Sequence, residues 1–93
     1  MNTLPHDGTV PALARGVKFR FDEVRARWVL LAPERLFLPD EPAIEILKLV
    51  DGVRSLGAII DDLTARFDAP RDLIARDVVA MLNDLAEKGA IAL

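Results

Sequence analysis

The hydrophobic period of this chain changes once, at Pro39, and that single change limits what the chain can fold into. Before it, Val17, Phe19 and Phe21 alternate with Lys18, Arg20 and Asp22, the two-residue period of a half-buried strand beginning near Gly16. Asp22–Ala26 is short and polar, and Arg27–Ala32 (RWVLLA) resumes with aromatic and β-branched residues, so the pair reads as a β-hairpin. Pro33-Glu34 punctuates. Arg35–Leu38 is a third apolar run that stops at Pro39, as a short edge strand does.

After Pro39 the period becomes helical. Asp40 is placed to cap a helix, Pro42 fits its first turn, and Ala43, Ile44, Leu47 and Val50 make one face before Asp51-Gly52 ends it. Ser55 is the next cap, followed by Leu56, Ile59, Ile60, Leu63 and Phe67 in one stripe. Asp68-Ala69-Pro70 breaks that helix, and a third runs from Pro70 to Lys88 and stops at Gly89. On the third helix Ile74, Ala75, Val78, Val79, Met81, Leu82, Leu85 and Ala86 cover an arc of roughly 160°. This exceeds one packing stripe. The expected fold is α+β and winged helix-turn-helix-like, with three short N-terminal antiparallel strands followed by three helices. Residues 1–12, with Pro5, Gly8 and Pro11 and no periodicity, read as a flexible tail, and 13–93 as a single domain.

The side-chain inventory argues against catalysis. There is no cysteine and no tyrosine, and the one histidine, His6, lies in the tail, so neither a thiolate or zinc site nor a Ser-His pair can be assembled. Asp61-Asp62 falls on the outer face of the second helix, without the burial that tunes a catalytic carboxylate. No phosphate-binding glycine motif occurs. The expectation is a non-enzyme with no catalytic residue, no metal and no cofactor. No apolar stretch approaches the roughly 18 residues of a membrane span, and no signal-like segment opens the chain, so a cytoplasmic protein without membrane contact is expected.

Charge then separates the binding classes. The net charge is −3, but Arg15, Lys18, Arg20, Arg25, Arg27 and Arg35 outnumber Asp22, Glu23 and Glu34 in the strand region, whereas the part after Arg35 is acidic. A DNA-reading third helix would offer Arg71 and Arg76 against Asp72 and Asp77, which leaves phosphates little to hold. A winged-helix DNA-binding regulator and a dimeric adaptor domain stay open as alternatives. The reading favoured by edge strand and arc is peptide binding, with an extended segment adding a strand beside Arg35–Leu38 and dropping side chains against the third helix. Which of Leu36, Phe37, Leu38, Ile74 and Val78 belong to the core instead stays open at this level.

The landmarks also form a family pattern. Pro11, Leu13, Arg15-Gly16-Val17 and Phe19, then Trp28 and Pro33-Glu34-Arg35, then Ile46-Leu47, Leu49 and Asp51-Gly52, then Leu56, Ile59-Ile60 and Leu63, and finally Asp77-Val78, Leu82, Leu85 and Gly89 together resemble the PqqD family of pyrroloquinoline quinone (PQQ) biosynthesis. The resemblance spans about residues 11–93. It implies a peptide chaperone, similar to the leader-recognition elements of ribosomally made, modified peptides. Such a chaperone binds the precursor peptide PqqA and presents it to the radical SAM enzyme PqqE, which carries the iron–sulfur chemistry. The implied peptide site maps onto Arg35, Leu36, Phe37 and Leu38 of the third strand and onto Arg71, Ile74, Ala75, Val78 and Val79 of the third helix. The working form is expected to be a monomer or homodimer that binds no nucleic acid. One departure from the family pattern is Leu38-Pro39-Asp40-Glu41-Pro42, which sets two prolines directly after the third strand.

Overall fold

The computed structural model describes residues 5–93. Eight elements follow one another: β1 (Ala12–Leu13), β2 (Lys18–Asp22), β3 (Arg27–Ala32), β4 (Arg35–Phe37), α1 (Glu41–Leu47), α2 (Leu56–Phe67), α3 (Arg71–Glu87) and β5 (Ile91–Ala92). The α+β class and the order of three paired strands followed by three helices are as the sequence indicates.

The hairpin forms because Asp22 organises its turn. Its Oδ1 accepts from the amides of Val24 and Arg25 at 3.1 and 3.3 Å, and Ala26 closes the turn in the left-handed region at φ 52. β2 then pairs antiparallel with β3, Phe19 opposite Leu30 and Phe21 opposite Trp28. β4 pairs on the other side of β3, with Phe37 opposite Leu30 and Leu36 opposite Leu31. The sheet order is therefore β2-β3-β4. β4 stops at Phe37, so Leu38, expected in the strand, lies beyond it. Pro39 has no N–H to offer a ladder.

The helices follow their caps. Asp40 accepts from the Ala43 amide at 3.0 Å and Ser55 from the Ala58 amide at 3.1 Å, both as expected. α1 ends at Leu47, earlier than Asp51-Gly52, because the chain tightens into i to i+3 bonds: Leu49 donates to Ile46 and Val50 to Leu47. This turns Ile46, Leu49 and Val50 into the core and leaves Ile44 only half-buried. Pro70 is the residue before α3 rather than its first residue, since its ψ of 135 is not helical. At the other end Gly89 (φ 82) lets Ala90 donate back to Leu85 at 2.9 Å, a Schellman closure that needs a left-handed residue. Phe67, expected in the buried stripe of α2, is 52% exposed. It stands at the last position of that helix, past the layer it would pack on.

The core gathers Val17 and Leu30 from the sheet side, Ile46 and Leu47 from α1, Ile59, Ile60 and Leu63 from α2, and Val78, Leu82 and Leu85 from α3. A second, two-stranded sheet joins the ends of the domain: Ala12 lies opposite Ala92 and Leu13 opposite Ile91. Residues 1–4 of the expected tail lie outside the described residues. From His6 onward the segment is docked on α2, with the carbonyls of Thr9 and Asp7 accepting from Leu56 and Gly57 at 2.6 and 3.0 Å. Pro11 is fully buried. The physical reason is the free N-terminal amides of α2, which need acceptors that the α2 cap alone does not supply.

Candidate peptide-binding site

β4 forms one edge of the three-stranded sheet, and on its far side no strand pairs with it among the described residues. Its short length limits this edge to one brief docking segment. Strand alternation sends Phe37 toward the core, where it packs with Leu30, and Leu36 to the opposite face, where it is 52% exposed. The Arg35 guanidinium lies 4.7 Å from the Phe37 ring, and Leu38, exposed as well, follows the strand.

A groove of about 1000 Å³ lies between Trp28 of β3 and residues of α1, α2 and α3. Trp28 lies on the same face of β3 as Leu30, opposite Phe21 of β2. Trp28 lines one side of the groove, stacked on Phe19 at 4.7 Å and edge-on to Phe21 at 5.6 Å. Ile44, Phe67, Ile74 and Val78 supply the apolar wall. Lys48, Glu45 and Arg66 supply charge: the Glu45 carboxylate accepts from Lys48 Nζ at 3.2 Å and from an Arg66 Nη at 3.1 Å. These two hydrogen bonds, first that of Lys48, hold the Glu45 carboxyl below its ordinary value.

The residues expected on α3 divide. Ile74 and Val78 line the groove, and Val78 is also part of the core. Ala75 and Val79, half-buried against the same core, lie at +60° and +100° around the helix from Val78, while Ile74 lies at −40°. They flank the buried stripe on opposite sides. Arg71 is tied by its Nε to Asp61 at 2.7 Å and by its Nη2 to Asp7 at 3.6 Å, and the Asp61 hydrogen bond raises its pKa. It joins α3 to α2 and to the N-terminal segment and does not line the groove.

Sequence reasoning missed Trp28, Ile44, Phe67 and the Lys48–Glu45–Arg66 cluster as lining residues. The available signal was an apolar residue at a helix end, such as Phe67, with no following layer to bury it. His6 Nδ1 accepts from the Gly8 amide at 3.0 Å in a local turn. Among the described residues no group of three His, Cys, Asp or Glu side chains is placed to hold a metal, and no helix is long and apolar enough to cross a membrane.

The chain matches the family described as "Coenzyme PQQ synthesis protein D (PqqD)" over residues 27–91. It is 56% identical, over 95% of its own length and 86% of the relative's, to a "PqqA binding protein" of Rhodopseudomonas palustris (strain BisB5). It is 49% identical, over 85% of this chain and 21% of the larger protein, to the "Bifunctional coenzyme PQQ synthesis protein C/D" of Methylorubrum extorquens. The solution structure of the PqqD truncation of Methylobacterium extorquens PqqCD, described as a functional and stand-alone RiPP recognition element, superposes with a TM-score of 0.79 at 44% identity, covering 96% of this chain and 95% of that one. With the family pattern running from β3 to β5 and the Rhodopseudomonas palustris relative matched over most of both chains, the chain belongs to the PqqD family of coenzyme PQQ synthesis proteins.

Proposed function

We propose that this chain is a non-catalytic binder of the precursor peptide PqqA, which it holds as an added strand beside β4 and presents to the radical SAM enzyme PqqE. What supports this reading is an unpaired strand edge at β4 in the same sheet that, through Trp28 of β3, lines an apolar groove walled by Ile74 and Val78 of α3. Main-chain hydrogen bonds along an edge give affinity that tolerates sequence variation, and pockets beside it select side chains. A peptide running along β4 is proposed to extend into that groove, toward Trp28, Ile44 and Ile74.

Of the nine residues expected at the site, Arg35, Leu36 and Phe37 supply the edge, Leu38 follows it, and Ile74 with Val78 supplies the wall. Arg71, Ala75 and Val79 support the helix that carries that wall. A duplex is a poorer fit for α3, because Arg71 is engaged by Asp61 and Asp7, and Arg76 lies 4.0 Å from Asp77. In this reading the protein is a cytoplasmic carrier that works as a monomer or homodimer.

Titration of isotope-labelled protein with PqqA tests it. The amides of Arg35–Leu38, Trp28 and Ile74–Val78 are expected to shift. Ile74→Glu, which sets an unpaired charge on the groove wall, is expected to weaken PqqA binding at least about tenfold. Shifts confined to the hairpin turn at Glu23–Ala26, or full affinity in Ile74→Glu, would overturn the placement.

A further inference from the structure

The outer face of the three-stranded sheet is built unlike a solvated one. An antiparallel sheet with one wet face normally alternates apolar-in and polar-out; on this outer face Lys18, Arg20, Asp22 and Arg27 keep to that rule, while Val29, Leu31 and Leu36 break it. Leu31 and Leu36 are directly paired. Val29 is nevertheless 4% exposed and Leu36 52%, so the patch runs from a covered end to an open one. They line a concavity of about 730 Å³ whose rim carries Arg20, Arg25 and Arg27.

The cations that follow Arg35 in the chain are all paired, whereas most of those up to Arg35, Arg15 and Arg35 included, enter no ion pair among the described residues. Lys48, Arg54, Arg66, Arg71, Arg76 and Lys88 each lie within 4.0 Å of a carboxylate. Lys18, Arg20 and Arg27 enter no ion pair among the described residues, while Arg25 is paired with Asp22 at 3.3 Å. Of the two carboxylates on the rim, Asp22 is committed to the turn amides and Arg25, which leaves Glu23 against the two remaining rim cations, Arg20 and Arg27.

We infer that this face docks a second protein bearing an apolar patch rimmed by carboxylates, seated beside the bound peptide. The inference rests on the peptide reading above. A strand added to β4 turns alternate side chains outward next to Leu36, so a protein on the outer face reaches those side chains while the others stay in the groove. An apolar centre with a charged rim is the anatomy of a protein interface, and unpaired cations steer an acidic partner into register. A second copy of this chain set face to face would oppose Lys18, Arg20 and Arg27 to themselves. The apolar centre favours a protein over a nucleic acid.

The test uses PqqE as the probe. The double variant Arg20→Glu/Arg27→Glu and, separately, Leu31→Thr are checked for native amide spectra and titrated with PqqA, then with PqqE in the presence of PqqA. The charge variant is expected to keep PqqA affinity and to lose PqqE affinity by about tenfold or more. Leu31→Thr is expected to weaken PqqE several-fold, and wild-type binding to PqqE is expected to weaken between about 50 and 300 mM salt. Unchanged PqqE affinity in a folded charge variant would overturn the surface and leave the peptide reading standing. Lost PqqA affinity in that variant would assign the face to the peptide itself, and capture of a short nucleic-acid duplex through Arg20 and Arg27 without effect on PqqE would assign it to nucleic acid; either result overturns the inference. A wild-type protein that takes up no PqqA overturns the peptide reading and the dependent surface with it.

Discussion

Ala26 sits in the left-handed region at φ 52, where a Cβ meets the carbonyl oxygen and only glycine is free of strain. The turn tolerates this because Asp22 fixes it from the other side, through the amides of Val24 and Arg25. Ala26 is exposed, so nothing is lost from the core when its methyl group goes. Ala26→Gly is therefore expected to stabilise the protein by about 0.5–1 kcal/mol, the relief of strain outweighing the entropy glycine adds to the unfolded chain. In thermal unfolding this reads as a rise in Tm of roughly 4 °C. A fall in Tm would mean that the Asp22 turn holds its geometry at no cost. Asp68, at φ 48 after α2, has the same backbone conformation, and an aspartate tolerates it better than an alanine.

At the scale of elements, α1 and α2 are joined across their exposed ends by Glu45 and Arg66, 21 residues apart in sequence. Hydrogen bonds from Lys48 and then Arg66 depress the Glu45 pKa. A carboxylate depressed in the folded state contributes stability at pH above the usual carboxylate range, and that contribution disappears as pH falls through its folded value. The Tm difference between wild type and Glu45→Gln is thus expected to be small near neutrality, since the pair is exposed, and to vanish in acid. A difference that grows on acidification would contradict the assignment. Periodicity and caps marked β2, β3, α2 and α3 because each carries its own local signal: alternation in RWVLLA, Ser55 before its stripe, Gly89 after the last turn. Leu38 and Ile44 were misplaced because a proline and a tightened turn moved the ends of β4 and α1. The groove was harder to read. Trp28, Ile44 and Phe67 come from three elements, and only the packing angle between those elements decides that their apolar surfaces face a cleft and not the core. β1 and β5 were invisible for a related reason: two residues each carry no period, and their pairing joins positions about eighty residues apart.

In the whole molecule that pairing makes the N-terminal segment part of the domain. Ala14 donates to Ala90 at 2.9 Å beside the β1–β5 ladder, Pro11 is fully buried, and Asp7 and Thr9 accept from the first amides of α2. The fit at α2 is close: a Cβ on Gly57 would lie 3.1 Å from the Asp7 Cβ and 3.2 Å from its carbonyl oxygen. Arg71 reaches the same Asp7 at 3.6 Å, so one segment touches both helices α2 and α3. A chain beginning at residue 11 keeps β1 and loses the two acceptors of α2 and the Asp7 contact. The amides of Leu56 and Gly57 then turn to water, and the net loss for two backbone hydrogen bonds is about 2 kcal/mol, or a fall in Tm on the order of 10 °C. Hydrogen exchange should localise it, with Leu56 and Gly57 losing protection while the hairpin amides of β2 and β3 keep theirs. Because the segment meets the N-terminal end of α2, and the groove is lined by the opposite end at Leu63, Arg66 and Phe67, the truncated protein is expected to bind PqqA with near-native affinity below its lowered Tm. A truncation that unfolded nothing but abolished PqqA binding would instead place the segment within the peptide site.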